Sequence, residues 1–461
     1  MRTVVTAVGM RDAEQRFFDA HPGVDLMGRA ARAVARVAAE VNTAGQVLVV
    51  AGRGNNGGDG LFAASILAQH RRVLVWSAFG RTHEAGQAAA RAAGCQFVDA
   101  LGALEALPDC GLVIDAVAGL GSRPGLPQAL ETFAAACESS AIDVLAVDLP
   151  SGLDADSGAE QPSFRATHTV TFAALKPCHV SQPAAGRCGR VHVVDIGVEI
   201  DGTQLRQAEE ADVAAWWPTP TASSDKYARG VVLFDTGSSR YQGAALLGIA
   251  GALHAGTGMV RYAGPVHSGL ILTRYPSVVM GDGRAQAAVL GSGWGEDEGA
   301  SGRVSSARLH APVAVVDADA LYSLPGRIDG WLLTPHAGEL ARLLGCSRSH
   351  VESSPVSCAR EVARVTGATV LLKGATQYVA EPGGRVTIAV PGPHWSAQAG
   401  SGDVLAGICG ALLAAGLPAW QAAVAGASIQ AMAAARNPGP YPPDELARRL
   451  PDVIAGLVAA D

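Results

Sequence analysis

The sequence predicts an α/β protein built as two three-layer αβα domains in series, the first around a doubly wound parallel sheet. Three observations predict it. Short, continuous apolar runs alternate with Ala-rich helical segments along the chain, which is the pattern of parallel strands covered on both faces. A length of 461 residues exceeds what one ordinary core serves and suits two domains of about 200 residues or more. The composition is 49% hydrophobic and only 17% charged, with 56 glycines; this describes a compact body with many tight turns and excludes a disordered regulator.

The elements follow in order. Leu26, Met27, Ala30, Ala33, Val34, Val37 and Val41 form one apolar helical face after an N-cap at Asp25. Strands are expected at 46–51, 73–76, 112–116, 144–147, 169–172 and 191–194. The pattern then loosens, and Trp217-Pro-Thr-Pro-Thr-Ala-Ser-Ser224 is a breaker segment. The domain boundary is placed near residue 210, giving domains 1–210 and 211–461. A second series has strands at 231–234, 288–290, 313–316, 331–334 and 369–372. From Val404 to Ala435 no side chain is charged, a length that fits a membrane span. However, Gly416-Leu417-Pro418 cuts the run, and Gln421, Ser428 and Gln430 interrupt it, so two buried helices are expected instead.

Charge and cysteine usage narrow the function. A net charge of -7 with no Lys/Arg run argues against nucleic acid or a membrane surface as partner. The eight cysteines show no C-x-x-C pair and no zinc spacing, so they are expected reduced, in a cytoplasmic protein. The run Val4 to Met10 is short and gives way to Arg11, Asp12 and Glu14, unlike a signal peptide. Lysine is rare: Lys176, Lys226 and Lys373 are the only three among 35 basic side chains. A lysine retained in an arginine-dominated chain hints at a wanted point charge.

The chemistry-bearing motifs sit where strands end. Gly52-Arg-Gly-Asn-Asn-Gly-Gly-Asp-Gly60 follows the strand 46–51 and precedes a helix expected to start near Leu61; its glycines let backbone approach a ligand. It satisfies G-x-G-x-x-G, yet the next strand ends Val75-Trp76-Ser77-Ala78 without the carboxylate that an ordinary dinucleotide fold uses on the ribose. Asp115 ends one strand and leads to Gly119-Leu-Gly-Ser-Arg-Pro-Gly125; Asp148 ends another and leads to Pro150-Ser151-Gly152-Leu153-Asp154. A turn that merely closes sheet onto helix would explain the first glycine loop alone, but not two strand-end aspartates beside two such loops. In the second half, Gly237-Ser-Ser-Arg-Tyr-Gln-Gly-Ala244, Gly291-Ser-Gly-Trp-Gly295, Asp317-Ala-Asp, Thr334-Pro-His-Ala-Gly-Glu339 and Leu372-Lys-Gly-Ala-Thr376 are strand-end loops. Ala399-Gly-Ser-Gly-Asp403 enters the uncharged helices; its amides can hold a developing phosphoryl charge and Asp403 can take a proton from a hydroxyl. The structural alternative is that Asp403 only caps the helix.

The first set of motifs resembles the NAD(P)H-hydrate epimerase family over roughly residues 1–205, with a Rossmann-like sheet. The resemblance implies that Asn55, Asn56, Gly57, Gly58 and Asp59, the loop Gly119, Leu120, Gly121, Ser122, Arg123, Pro124 and Gly125, and Asp148 meet the hydrated dinucleotide. It also implies a potassium ion held by Asn56, Asp115 and Ser151, hard oxygen donors that suit such an ion. The second set resembles the ribokinase-like NAD(P)H-hydrate dehydratase family over roughly residues 211–461. That resemblance places Ala245, Gly293, His336 and Asp403 at the hydrated dinucleotide, and Lys373, Gly374, Ala375, Thr376, Gln377 and Gly402 at the adenine nucleotide, ADP or ATP with Mg2+. The sequence departs from that family at Asp235-Thr-Gly-Ser238 and Ala399-Gly400, where a further glycine is usual. Asp403 is expected as the general base of dehydration and Asp148 as the acid/base of epimerisation. A fused bifunctional repair enzyme assembled as a homo-oligomer is the reading; a vitamin or sugar kinase joined to a non-catalytic dinucleotide-binding module is the alternative.

Overall fold

The computed structural model describes residues 1–41, 44–295 and 299–459. The chain divides into two compact units, Arg2–Thr203 and Gln204–Asp461. Leu205–Gln207 already pair in parallel with Val386–Ile388, which is why the division falls before the breaker segment.

In the first unit a short strand β1 (Arg2–Val4) bridges Leu175. The main sheet contains β2 (Gln46–Ala51), β3 (Val73–Ser77), β4 (Gln96–Val98), β5 (Cys110–Ala116), β6 (Asp143–Val147), β7 (His168–Phe172) and β8 (Arg190–Val194), in the order β4-β3-β2-β5-β6-β7-β8. Every pairing is parallel, and β2 is buried throughout, as a strand covered on both faces must be. The strand order reverses between β2 and β5, the place where doubly wound sheets open a crevice at the strand C-termini. Helix Leu26–Val41 begins as expected, with Asp25 Oδ1 accepting from the Gly28 amide at 2.7 Å.

One expectation fails here in an informative way. The helix after β2 starts at Asn55, not near Leu61, so the Asn-Asn-Gly-Gly-Asp segment is its first turn. Glycine is a poor helix former, but packing overrides propensity. A Cβ on Gly57 would lie 2.2 Å from the Gly52 carbonyl oxygen, one on Gly60 2.3 Å from Ala116 Cβ. The glycines bring this helix against the sheet and its preceding loop.

The second unit contains β9 (Leu205–Gln207), β10 (Val231–Asp235), β11 (Met259–Tyr262), β12 (Val279–Met280), β13 (Ala287–Leu290), β14 (Val313–Val316), β15 (Leu332–Leu333), β16 (Thr369–Leu372), β17 (Tyr378–Ala380) and β18 (Val386–Ile388). Their order is β9-β18-β17-β16-β15-β14-β13-β10-β11-β12. From β12 to β16 all pairings are parallel, whereas β16, β17 and β18 pair antiparallel. The sheet is therefore mixed rather than purely parallel. The crossover reversal lies between β10 and β13. The uncharged stretch forms two helices, Ser401–Ala414 and Ala419–Arg436, separated at Gly416. Helix Ser401–Ala414 packs so closely on helix Gln242–His254 that a Cβ on Gly407 would stand 1.9 Å from the Gly248 carbonyl oxygen. All eight cysteines are free. Among the described residues, no helix is long and apolar enough to cross a membrane.

Candidate functional sites

In the first unit, the loops leaving β2, β5, β6 and β7 surround a cavity of about 910 Å³, within the range of small-molecule sites. Asn55, Asn56, Asp59, all seven residues Gly119 to Gly125, and Asp148 line it. Asn56 and Asp148 converge on Gly119, whose Cβ position is 3.1 Å from Asn56 Oδ1 and 3.3 Å from Asp148 Oδ2. Gly57 and Gly58 are buried outside the lining. A Cβ on Gly58 would meet Met27 Sδ at 2.9 Å, so both glycines are required by close packing.

Asp148 is held by features the sequence did not reveal. Its backbone takes φ 67°, the left-handed region that costs a non-glycine residue strain and clusters at functional sites. Lys176, 1% exposed, pairs with Asp148 Oδ1 at 2.8 Å. The same ammonium donates to Thr171 Oγ1 at 2.7 Å and to the Phe172 carbonyl at 3.2 Å, and Thr171 Oγ1 donates to Asp148 Oδ1 at 3.0 Å. Burial alone would raise the Asp148 carboxyl, but the Lys176 charge and hydrogen bonds overcome it and hold the group below its ordinary value. Asp148 is thus kept ionised, which suits a carboxylate facing a cation and not a proton donor. Asp59, in the same cavity, is pushed up to about 8 by burial and by the charges of Asp148, Glu14 and Asp25. Glu14, from helix Ala7–Ala20, is raised too, by burial and by Asp148, against the lowering pull of Lys176 and Arg11. Lys176 could have been found from its rarity; Glu14 and Arg11 carried no signal, because nothing in the sequence says which wall helix Ala7–Ala20 covers.

Asp115 and Ser151 meet behind the loop. Ser151 donates to Asp115 through its hydroxyl at 2.6 Å and its amide at 2.7 Å, and the Val117 amide adds a third bond at 3.3 Å. A carboxylate offers about four lone-pair sites, so these bonds leave room for a cation. No ionic side chain pairs with Asp115 among the described residues, and burial pushes its carboxyl up to about 6 against those three bonds. A fully buried carboxylate lacking a counter-charge, beside a hydroxyl, fits a monovalent cation. Asn56 stands beside Gly119 with its Nδ2 buried and without a hydrogen-bond partner among the described residues.

The second unit assembles its site from the ends of β13, β14, β15 and β16. Asp317, 3% exposed, accepts from Ser292 Oγ at 2.9 Å and Thr334 Oγ1 at 2.8 Å, and pairs with Lys373 Nζ at 2.5 Å. Burial pulls the Lys373 ammonium down, but Asp317 and Glu339 hold it above its ordinary value. Lys373 Nζ is 3.3 Å from where a Cβ on Gly402 would stand, so it reaches the start of helix Ser401–Ala414. Gly400 caps that helix at φ 95° with no side-chain cap bond; only glycine adopts this conformation freely. The Ser401 amide bonds Gln398 O at 3.2 Å. This leaves the Gly402 and Asp403 amides to an incoming anion. Asp403 lies in the first turn and is not the cap, which removes the purely capping reading. Burial and the Asp317 charge push its carboxyl up to about 6, against the pull of Lys373 and of the Ser292 hydroxyl.

The remaining expected residues fall in different places. Gly293, at φ 70°, opens the turn after β13. His336 is exposed and its Nδ1 caps helix Ala337–Leu344, accepting from the Gly338 and Glu339 amides at 3.0 and 3.2 Å. Lys373, Gly374, Ala375, Thr376 and Gln377 form the turn between β16 and β17. Ala245 has no exposed surface and lies against Gly237. Lys226 stands over the Tyr227 ring at 5.1 Å.

Taken together, these features define a two-unit α/β enzyme, with a crevice of about 910 Å³ in one unit and a glycine-capped helix start beside a raised carboxyl in the other. Family models agree. One described as NAD(P)H-hydrate dehydratase matches residues 232–452, and one described as YjeF-related protein N-terminus matches residues 23–178. The bifunctional NAD(P)H-hydrate repair enzyme Nnr of Mycobacterium leprae is 40% identical, over 100% of both chains. That of Escherichia coli is 30% identical, over 84% of this chain and 80% of the relative. The second unit is similar to the ADP/ATP-dependent NAD(P)H-hydrate dehydratase of Bacillus subtilis, crystallised with ATP/Mg2+. The two are 25% identical with a TM-score of 0.51, over 56% of this chain and 100% of that one. The chain belongs to the family of bifunctional NAD(P)H-hydrate repair enzymes.

Proposed function

We propose that the chain restores hydrated NADH and NADPH. The first unit interconverts the R and S hydrates, and the second dehydrates the S hydrate at the expense of an adenine nucleotide, with ADP the donor and AMP and phosphate the products. The observation that carries this reading is that one chain holds both sites: the crevice around Asp148 and the helix start at Asp403, which has no side-chain cap. A vitamin or sugar kinase has no use for the first.

At the second site, the C6 hydroxyl of the S hydrate is a poor leaving group. Asp403 accepts its proton as the oxygen attacks the terminal phosphorus of the nucleotide, and the Gly402 and Asp403 amides with Lys373 balance the charge that develops there. Elimination of phosphate from C6, with loss of a C5 proton, restores the dihydronicotinamide. Mg2+ held mainly by nucleotide phosphates needs few protein ligands, and no group of three acidic, His or Cys side chains gathers among the described residues. At the first site, the nitrogen lone pair of the reduced ring expels the C6 hydroxyl as water, leaving a planar cation that water re-enters from either face. The ionised Asp148 stabilises that cation. Potassium at Asp115, Ser151 and Asn56 would supply the charge that Asp115 lacks and fix the loop Gly119–Gly125. A cytoplasmic homo-oligomer completes the reading; sizing the purified chain tests the assembly.

The test is to incubate the chain with hydrated NADH, R and S separately, with ADP or ATP, and follow absorbance of the restored dihydronicotinamide. Restoration from both hydrates supports two activities; restoration from S alone removes the epimerase half.

A further inference from the structure

Expelling the C6 hydroxyl as water needs a proton donor, and Asp148, tied to Lys176, is not one. Helix Ala7–Ala20, which lies before the segment 23–178 matched by the family model, brings Met10, Arg11 and Glu14 to the cavity wall. Arg11 and Glu14 share a helix face at i and i+3. Arg11 Nη2 donates to the Leu120 carbonyl at 2.6 Å, which seats this helix on the loop expected to hold substrate. Glu14 therefore lines the same crevice as Asp148 and Lys176. Among the described residues it enters no ion pair, because the only buried ammonium there is taken by Asp148.

We propose that Glu14 is the catalytic acid of epimerisation, and so that the N-terminal helix completes the active site. The proposal rests on the epimerase reading above. The carboxylic acid gives its proton to the C6 oxygen as the C6–O bond breaks, producing water, the ring cation and the Glu14 carboxylate. Water then adds to the other face of C6 and returns one proton to Glu14, so the cycle consumes nothing. The groups facing Glu14 are Arg11 on its own helix, Asp59 on helix Asn55–Leu67, Asp148 after β6 and Lys176 after β7. Burial and the Asp148 charge favour its protonated form, and Lys176 and Arg11 oppose them. Asp59 is the competing donor.

The experiment measures interconversion of the purified R and S hydrates by the full chain, resolved by chiral separation, across pH 5 to 10 for wild type, E14Q, E14D and D59N. The wild-type rate should fall as pH rises and the acid loses its proton. E14Q should lower the rate about a hundredfold or more and abolish that limb. E14D should recover part of the rate and show the limb again. D59N is expected to weaken turnover while keeping the limb. If D59N rather than E14Q abolishes the limb, or if E14Q retains the wild-type rate, the proposal is overturned. Should E14Q fail to fold, judged by thermal melting, the wild-type profile and E14D decide: a rate that does not fall as pH rises, or an E14D limb unmoved from wild type with full rate, overturns it as well. A wild-type chain that leaves both hydrates unchanged removes the epimerase reading itself.

Discussion

Each unit places a lysine on a strand-end aspartate, Lys176 on Asp148 at 2.8 Å and Lys373 on Asp317 at 2.5 Å, but the two pairs leave different third carboxyls. In the first unit Lys176 is almost wholly covered, and its charge is absorbed by Asp148, Thr171 and the Phe172 carbonyl. Asp59 and Glu14 are left without a cation of their own, and both carboxyls rise, Asp59 to about 8. In the second unit the Lys373 side chain keeps 17% exposure and still lowers Asp403, which stops at about 6. The same device thus stands beside carboxyls raised to different extents, and the proposed roles, a proton donor in one crevice and a proton acceptor in the other, follow that difference.

The comparison breaks first at Asp403. Asp403→Asn should fold and keep hydrate interconversion, since the cap belongs to Gly400, yet lose dehydration by about a hundredfold or more because an amide is no base. Near-normal restoration of NADH by this variant would leave the second site without its acceptor.

Stability separates the two lysines. Lys176→Met strands the buried Asp148 charge, and loss of one partner of a buried pair costs about 3–5 kcal/mol; the first unit should melt early, with epimerisation gone. Lys373→Met leaves Asp317 the Ser292 and Thr334 hydroxyls, where Asp148 would keep that of Thr171, and should weaken nucleotide binding with a smaller loss of melting temperature. Equal shifts in calorimetry would erase the distinction.

Asp115→Ala sharpens the view of the first site. It removes the only full negative charge among the proposed potassium ligands, so interconversion and its response to added potassium should decline together. A variant that interconverts normally in potassium-free buffer would leave the ion without a role.

The smallest effect is a pH profile. Asp403 must be ionised to accept a proton, so dehydration should rise as pH climbs through about 6 and flatten above it. Because its folded value lies above the ordinary carboxylate value, ionising Asp403 between about 4 and 6 costs the second unit stability. Asp403→Asn should flatten that part of the stability curve.

The sequence by itself determined the two-series α/β organisation, the strands 46–51, 313–316 and 369–372 to the residue, and the strand-end loops in which the site residues lie. These follow from local rules: continuous apolar runs mark buried parallel strands, and glycine clusters mark turns at their ends. The tertiary structure decided what local rules cannot reach. Asn55 to Asp59 became helical because glycine there lets the helix sit against Gly52 and Ala116, a contact across strands. The turn Lys373–Gln377 proved to join an antiparallel hairpin, whose short strands differ little in pattern from parallel ones. The rarity of lysine pointed to Lys176 and Lys373, but their partners are 28 and 56 residues distant in sequence. Which carboxyl holds a proton depends on burial and on charges from several elements at once. Those quantities arise only when the strands are side by side and helix Ala7–Ala20 has closed over them.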